Sequence, residues 1–247
     1  MRRHLLPLFA LLTLPLFPAI ASGSATTVAA ALLPAERTAA NVALDKDRHP
    51  DAVLAFADFR PGDVVADFAA GGGYYSELVA TLVGPKGRVY AQVSPRFYNA
   101  EKWDAIRAVH PNIAMLVTSD TATSFAPDSL DVLFAHLVFH DLFLPPKPGQ
   151  APQDPHAVIA NWFAAIKPGG HVIIVDHAAG PGDVTEVAGR LHRIHPDAAK
   201  AAMVAAGFVW EGQSDILRRS TDDHSEPVFA PALRGNTDRF VYKFRKP

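Results

Sequence analysis

From residue 59 onward the chain alternates short continuous apolar runs with amphipathic stretches. "PGDVVADFA" reads as a turn into a buried strand, and the next apolar residues, Tyr75, Leu78, Val79 and Leu82, recur at helical spacing. The same alternation continues through "GPKGRVYAQV" (strand), "NAEKWDAIRAVH" (helix), "NIAMLVTSD" (strand) and "SLDVLFAHLVFHDL" (a strand running into a loop or short helix). "PHAVIANWFAAIKPGGHVIIVDH" predicts a helix, a Gly-Gly turn and a fifth strand. Strands apolar throughout suit a parallel sheet covered on both faces, so an α/β architecture is expected. Near the end, "AAKAAMVAAGFVWEGQSD" predicts a helix closing at Gly207 into a strand, and "DRFVYKFRK" a last alternating strand. Two late strands separated by a long excursion predict an antiparallel edge.

Before residue 59 the pattern differs. Residues 26–34 lack periodicity and read as a joint, followed by two short helices over 34–46 and 50–58, broken at "RHP" because a proline disfavours helix in the residue before it. The first residues are basic (Arg2, Arg3), then apolar from Leu5 to Ala21, then small, with Ala19 and Ala21 at A-x-A spacing and a second option ending at Ala25. This is the layout of a secretory signal peptide. The expected organisation is a leader over 1–21, with cleavage as late as 25 as the other option, a joint with helices over 22–58, and one domain over 59–247. Export to a periplasm and no lasting membrane insertion follow from it. "LPPKPGQAPQDP" is a proline-rich surface loop, since the α/β pattern resumes after it.

Composition narrows the chemistry. The 247 residues carry a formal charge of −2, and removing the leader's two arginines takes it to about −4, so no nucleic-acid surface is expected. With no cysteine, disulfides and thiolate metal sites are excluded. A nucleophile elbow, G-x-S-x-G, is absent.

The candidate chemistry centres on "DFAAGGGYYSE", directly after the first strand. Ligands of open α/β sheets sit at the carboxyl ends of strands, and glycine there admits close backbone approach. G-x-G-x-x-G fails in both registers, since Ser76 or Tyr74 stands at the third glycine position, and no Lys-Ser/Thr pair follows for a phosphate loop. The spacing that fits is acid-x-small-x-Gly-x-Gly: Asp67, Ala69, Gly71, Gly73. It resembles the first motif of the class I S-adenosylmethionine-dependent methyltransferases. "NIAMLVTSDTATSFAPDSLDVLFAHLVFHDL" and "AAIKPGGHVIIVDH" resemble that family's third to fifth strands, so the likeness spans residues 50–245. "RHPDAVLAF", "GGGYYSE", "FHDL", "VDHAAG" and "GNTDRFVYKFRKP" are similar to a group of predicted exported bacterial methyltransferases.

The resemblance implies a Rossmann-like methyltransferase fold: a mostly parallel seven-stranded sheet with an antiparallel last strand and helices on both faces. It implies S-adenosylmethionine as cofactor and a small-molecule acceptor. The Gly71–Gly72–Gly73 backbone would pass beneath the methionyl and ribose portions, and Asp67 would sit near the amino group or order the loop. Asp120 stands where the family's acid accepts from the adenine amino group; read alone, it is a turn aspartate in "TSDTAT". The family's strand-two acid is replaced by Gln92, which loses the charged bidentate grip on the ribose hydroxyls, and Ala69 replaces the usual first glycine.

Eleven histidines are many for this length, and several adjoin aspartate. His136, ending the fourth strand, is a candidate for the cofactor wall. His140 and His177, in "FHDL" and "VDHA", are candidate catalytic or substrate-positioning groups, since a neutral imidazole can take a proton near pH 7. A hydrogen-bonding structural role is the plainer reading of a histidine at a strand end. Two other functions stay open: an exported small-ligand-binding protein that reuses the fold, and a His/Asp metal-dependent enzyme using His136 and His140.

Overall fold

The computed structural model describes residues 28–122, 125–149 and 152–247. The leader expected at residues 1–25 lies outside the described residues. Seven strands, β1 (Val64–Phe68), β2 (Arg88–Val93), β3 (Ile113–Val117), β4 (Leu130–His136), β5 (Ile166–His177), β6 (Val209–Ser214) and β7 (Arg239–Arg245), form one sheet in the order β3-β2-β1-β4-β5-β7-β6. The first five run parallel, and β7 is antiparallel to both β5 and β6. The reversed strand therefore lies inside the sheet, and β6 forms the edge.

Period-two alternation divides the central strands between two cores. Val65, Phe134 and Val175 pack beneath the helices Pro50–Ala57, Tyr74–Val83 and Ala100–Val109, whereas Ala66, Leu133 and Ile174 pack against Pro155–Ala165 and Pro196–Ala205. Both faces are thus apolar and covered, as a parallel sheet requires. No helix among the described residues is long and apolar enough to cross a membrane.

Several local expectations change. The helix expected over 34–46 is three short turns, Pro34–Glu36, Ala39–Val42 and Asp45–Arg48. The break before Pro50 holds: His49 is left-handed (φ 43°) and Pro50 opens the next helix. The Pro168–Gly169–Gly170 turn lies within the span of β5 as a register irregularity against β4. The stretch "GRLHRIHPDAAK" breaks at the left-handed His192 (φ 54°) and turns Arg193 fully inward. Arg193 grips Asp222 through two bonds of 2.9 and 3.0 Å and donates to Ala178 O, tying the 215–238 excursion to the rim of β5. The "DDHS" cluster serves the same clasp, since His224 Nε2 meets Asp238 Oδ2 at 2.9 Å.

Candidate functional site: a crevice at the carboxyl end of β1

Beyond Phe68 the chain turns through Ala69 (φ 51°), Gly71 (φ 54°) and Gly73 (φ 79°) before the helix at Tyr74. Gly73 has no substitute, because a Cβ there would lie 2.7 Å from Ile106 Cδ1 and 3.0 Å from Trp103. At Gly71 a Cβ meets only Ala69 O, at 3.9 Å, so the loop stands open there. That opening belongs to a crevice of about 300 Å³ whose walls include Asn41, Arg48, Asp67, Gly71, Tyr75 and His136. A larger cavity of about 430 Å³ lies at the opposite end of the sheet, near Arg88 and Asn112, where open α/β sheets do not place their ligands.

Asp67 forms the crevice floor and is 3 % exposed. Burial raises its pKa to about 7, against the lowering effects of the Ser76 hydroxyl, which donates to Oδ2 at 2.5 Å, and the Arg48 charge. Tyr75 packs on His136 with ring centroids 4.6 Å apart, and both Tyr75 Oη and His136 Nε2 are buried without a hydrogen-bond partner. Burial, reinforced by the Arg48 and Arg239 charges, lowers the His136 pKa well below normal, so this ring is neutral.

Gln92 lies deeper than the resemblance implied. It is fully buried; Oε1 accepts from Ala69 N at 2.7 Å, and Nε2 donates to Thr118 O and Asp120 Oδ1, both at 2.8 Å. Its backbone oxygen also accepts from Ala70 N at 2.8 Å. Both amide protons are therefore occupied, and the side chain stitches the ends of β1, β2 and β3 together. Asp120 keeps its second carboxylate oxygen, and burial raises its pKa despite the Gln92 bond.

His140 and His177 do meet at the rim of β4 and β5, with ring centroids 5.8 Å apart. The two rings are in opposite states. His140 Nδ1 faces Asp176 Oδ1 at 2.8 Å and Nε2 faces Asp141 Oδ1 at 3.2 Å, while its backbone N–H donates to Asp176 Oδ2 at 2.7 Å. Burial alone would lower its pKa, but the Asp176 charge and the carboxylate bonds outweigh it and push it to about 10. An imidazolium with both nitrogens engaged has no lone pair for a proton, so the general-base role expected of His140 does not fit this arrangement. His177 is pulled well below its ordinary pKa by burial and by the neighbouring cations His140, Arg239 and Arg193; its Nδ1 meets Thr237 Oγ1 at 2.7 Å. Among the described residues no group of three or more His, Asp or Glu is arranged to hold a metal ion.

Four groups escaped the sequence reading. Arg48, Asn41 and Lys102 line the crevice, and Arg239 lies close enough to perturb His136 and Tyr75. Asn41 comes from a short helix tied to buried Glu77, which accepts from Thr38 N at 3.1 Å and Asn41 Nδ2 at 2.9 Å, and Arg48 from the next helix, whose Asp45 accepts from Tyr74 Oη at 2.7 Å. "DKDRHP" carries no motif, because only tertiary placement brings it to the site.

Residues 66–174 match a family described as a methyltransferase domain. No curated protein matches the chain. Among solved structures, an S-adenosylmethionine-dependent methyltransferase from Aquifex aeolicus is similar at 16 % identity and TM-score 0.55, covering 82 % of this chain and 98 % of its own. One from Mesorhizobium loti has 15 % identity and TM-score 0.57, covering 82 % and 100 %. The [4+2]-cyclase SpnF has 14 % identity and TM-score 0.57, covering 81 % of each chain. At these identities the likeness is one of fold. The protein has the Rossmann-like fold seen in those methyltransferases, and the match to the methyltransferase-domain family is confined to residues 66–174.

Proposed function

We propose that this domain uses S-adenosylmethionine to methylate a small-molecule acceptor. The observation that carries the reading is the crevice itself: a glycine loop open at Gly71, at the carboxyl end of the first strand, bordered by two buried polar atoms without partners. Such atoms cost about 1–3 kcal/mol each unless a ligand satisfies them. The residues fit the cofactor: Gly71 leaves room for the thioether chain, Asp67 offers a carboxylate toward its ammonium, and Asp120 has an oxygen free for the nucleoside. The cofactor supplies an already activated methyl group, so the protein's part is alignment and exclusion of water. Tyr75 and His136, both neutral, give that end of the crevice an aromatic wall. At the rim His177, kept neutral by burial and by the His140 cation, positions an acceptor through hydrogen bonding rather than by taking up its proton.

The leader pattern and the narrower motifs support membership of an exported, periplasmic group. Calorimetric titration with S-adenosylhomocysteine tests the cofactor assignment. The wild type should bind in the micromolar range, and Gly71→Asn, a residue that tolerates the left-handed φ of 54° and whose side chain projects into the opening, should stay folded but lose binding. A folded wild type that ignores the ligand up to millimolar concentration refutes the reading.

A further inference from the structure

Charge in the crevice is unbalanced. Among the described residues the Arg48 guanidinium has no hydrogen bond or ion pair; it lies 4.3 Å above the Tyr74 ring and opens onto the crevice. Arg239, which is 2 % exposed, donates only to neutral oxygens, Asp47 O and Gly235 O at 2.8 Å and Thr237 Oγ1 at 3.1 Å. The nearby Asp45 is already occupied, holding Arg37 through two 2.7 Å bonds and accepting from Tyr74 Oη at 2.7 Å. Asp67 is the remaining carboxylate in the wall, and with a pKa of about 7 it is only part-ionised at neutral pH. Burial lowers the Arg48 pKa, as it does for a cation removed from water without a paired anion. Beside it stand Tyr75 Oη, a buried donor without an acceptor, and the neutral His136.

A guanidinium fork and a hydroxyl without acceptors match a planar group with two oxygens and a negative charge. We propose that this end of the crevice is a carboxylate subsite, in which the Arg48 guanidinium and Tyr75 Oη hold the carboxylate of a bound organic anion. The chemistry has two sources, the amino-acid tail of the cofactor or the methyl acceptor, and the first rests on the methyltransferase reading above.

The experiment is calorimetry on the full chain, comparing wild type, Arg48→Met and Arg48→Lys. The probes are S-adenosylhomocysteine, 5′-methylthioadenosine (the same thioether nucleoside without the carboxylate) and benzoate, the last titrated with and without saturating S-adenosylhomocysteine. If the tail is the ligand, Arg48→Met weakens S-adenosylhomocysteine by about ten- to a hundredfold and leaves methylthioadenosine within about twofold, with Arg48→Lys between. If the acceptor is the ligand, both nucleosides bind unchanged while benzoate binding to the saturated protein is lost in Arg48→Met. Equal losses for both nucleosides, or no Arg48-dependent loss with any probe, overturn the subsite. A wild type that binds neither nucleoside refutes the cofactor assignment, and benzoate alone then judges the subsite. Unchanged melting temperatures show that the variants are folded.

Discussion

Asp67→Asn isolates the least ordinary group in the crevice. The buried carboxyl has a pKa of about 7 in the folded protein against an ordinary 3.8. A carboxyl whose folded pKa is raised binds more protons folded than unfolded between those two values, so stability is highest below pH 4 and falls as pH rises through 7. The full penalty above pH 7 is roughly 4 kcal/mol, at about 1.4 kcal/mol for each pH unit between the two pKa values. Asparagine keeps the shape, its oxygen can accept from Ser76 Oγ, and it carries no charge to desolvate. The advantage of the variant over wild type should therefore grow by about 2–3 kcal/mol between pH 5 and pH 8. Urea melts of both proteins at the two pH values measure that difference, and other titrating groups cancel in it. A difference independent of pH, or one that shrinks toward pH 8, refutes the raised pKa of buried Asp67.

Gln92→Glu supplies the acid that the family resemblance led us to expect there, yet it should destabilise by about 2 kcal/mol or more, because it sets a carboxylate against Thr118 O and Asp120; adding Asp120→Asn should recover part of the loss in a double-mutant cycle. His140→Gln breaks a buried ion pair and should cost about 3 kcal/mol near neutral pH. Since the folded pKa of His140, about 10, lies above the ordinary 6.5, its stabilisation is complete below pH 6.5 and lost as pH rises through 10; pH-dependent melts should show wild type and variant converging in alkali. Asp222→Asn leaves fully buried Arg193 without its anion and should destabilise by about 3–5 kcal/mol, read as a lowered urea midpoint, whereas a neutral result would mean the clasp carries no load.

The sheet was legible because its strands are buried on both faces: "VVADF" and "VIIVDH" are apolar whichever way they face, so period and length suffice to find them. Strand order beyond β5 was less so, since nothing in "DRFVYKFRK" says that β7 inserts between β5 and β6. Asp67, the glycines and His136 do meet in one crevice, because the first turn after β1 and the end of β4 are adjacent in any sheet where those strands pair. Residue type alone gave the wrong state for His140: the sequence places Asp141 beside it but not Asp176, thirty-six residues away, whose charge fixes the proton. Arg48 was invisible for the same reason. A cation in "DKDRHP" reads as solvated until the Tyr74 bond to Asp45 holds its helix over the loop.

The central claim, that the crevice at the end of β1 receives an adenosyl thioether, is tested most directly by a crystal structure grown with S-adenosylhomocysteine. The account predicts the thioether chain over Gly71 and Gly72, the adenosine toward Asp120, and Tyr75 and His136 against the ligand. Adenosine density at any other place on the protein, or none in crystals soaked at saturating concentration, contradicts it.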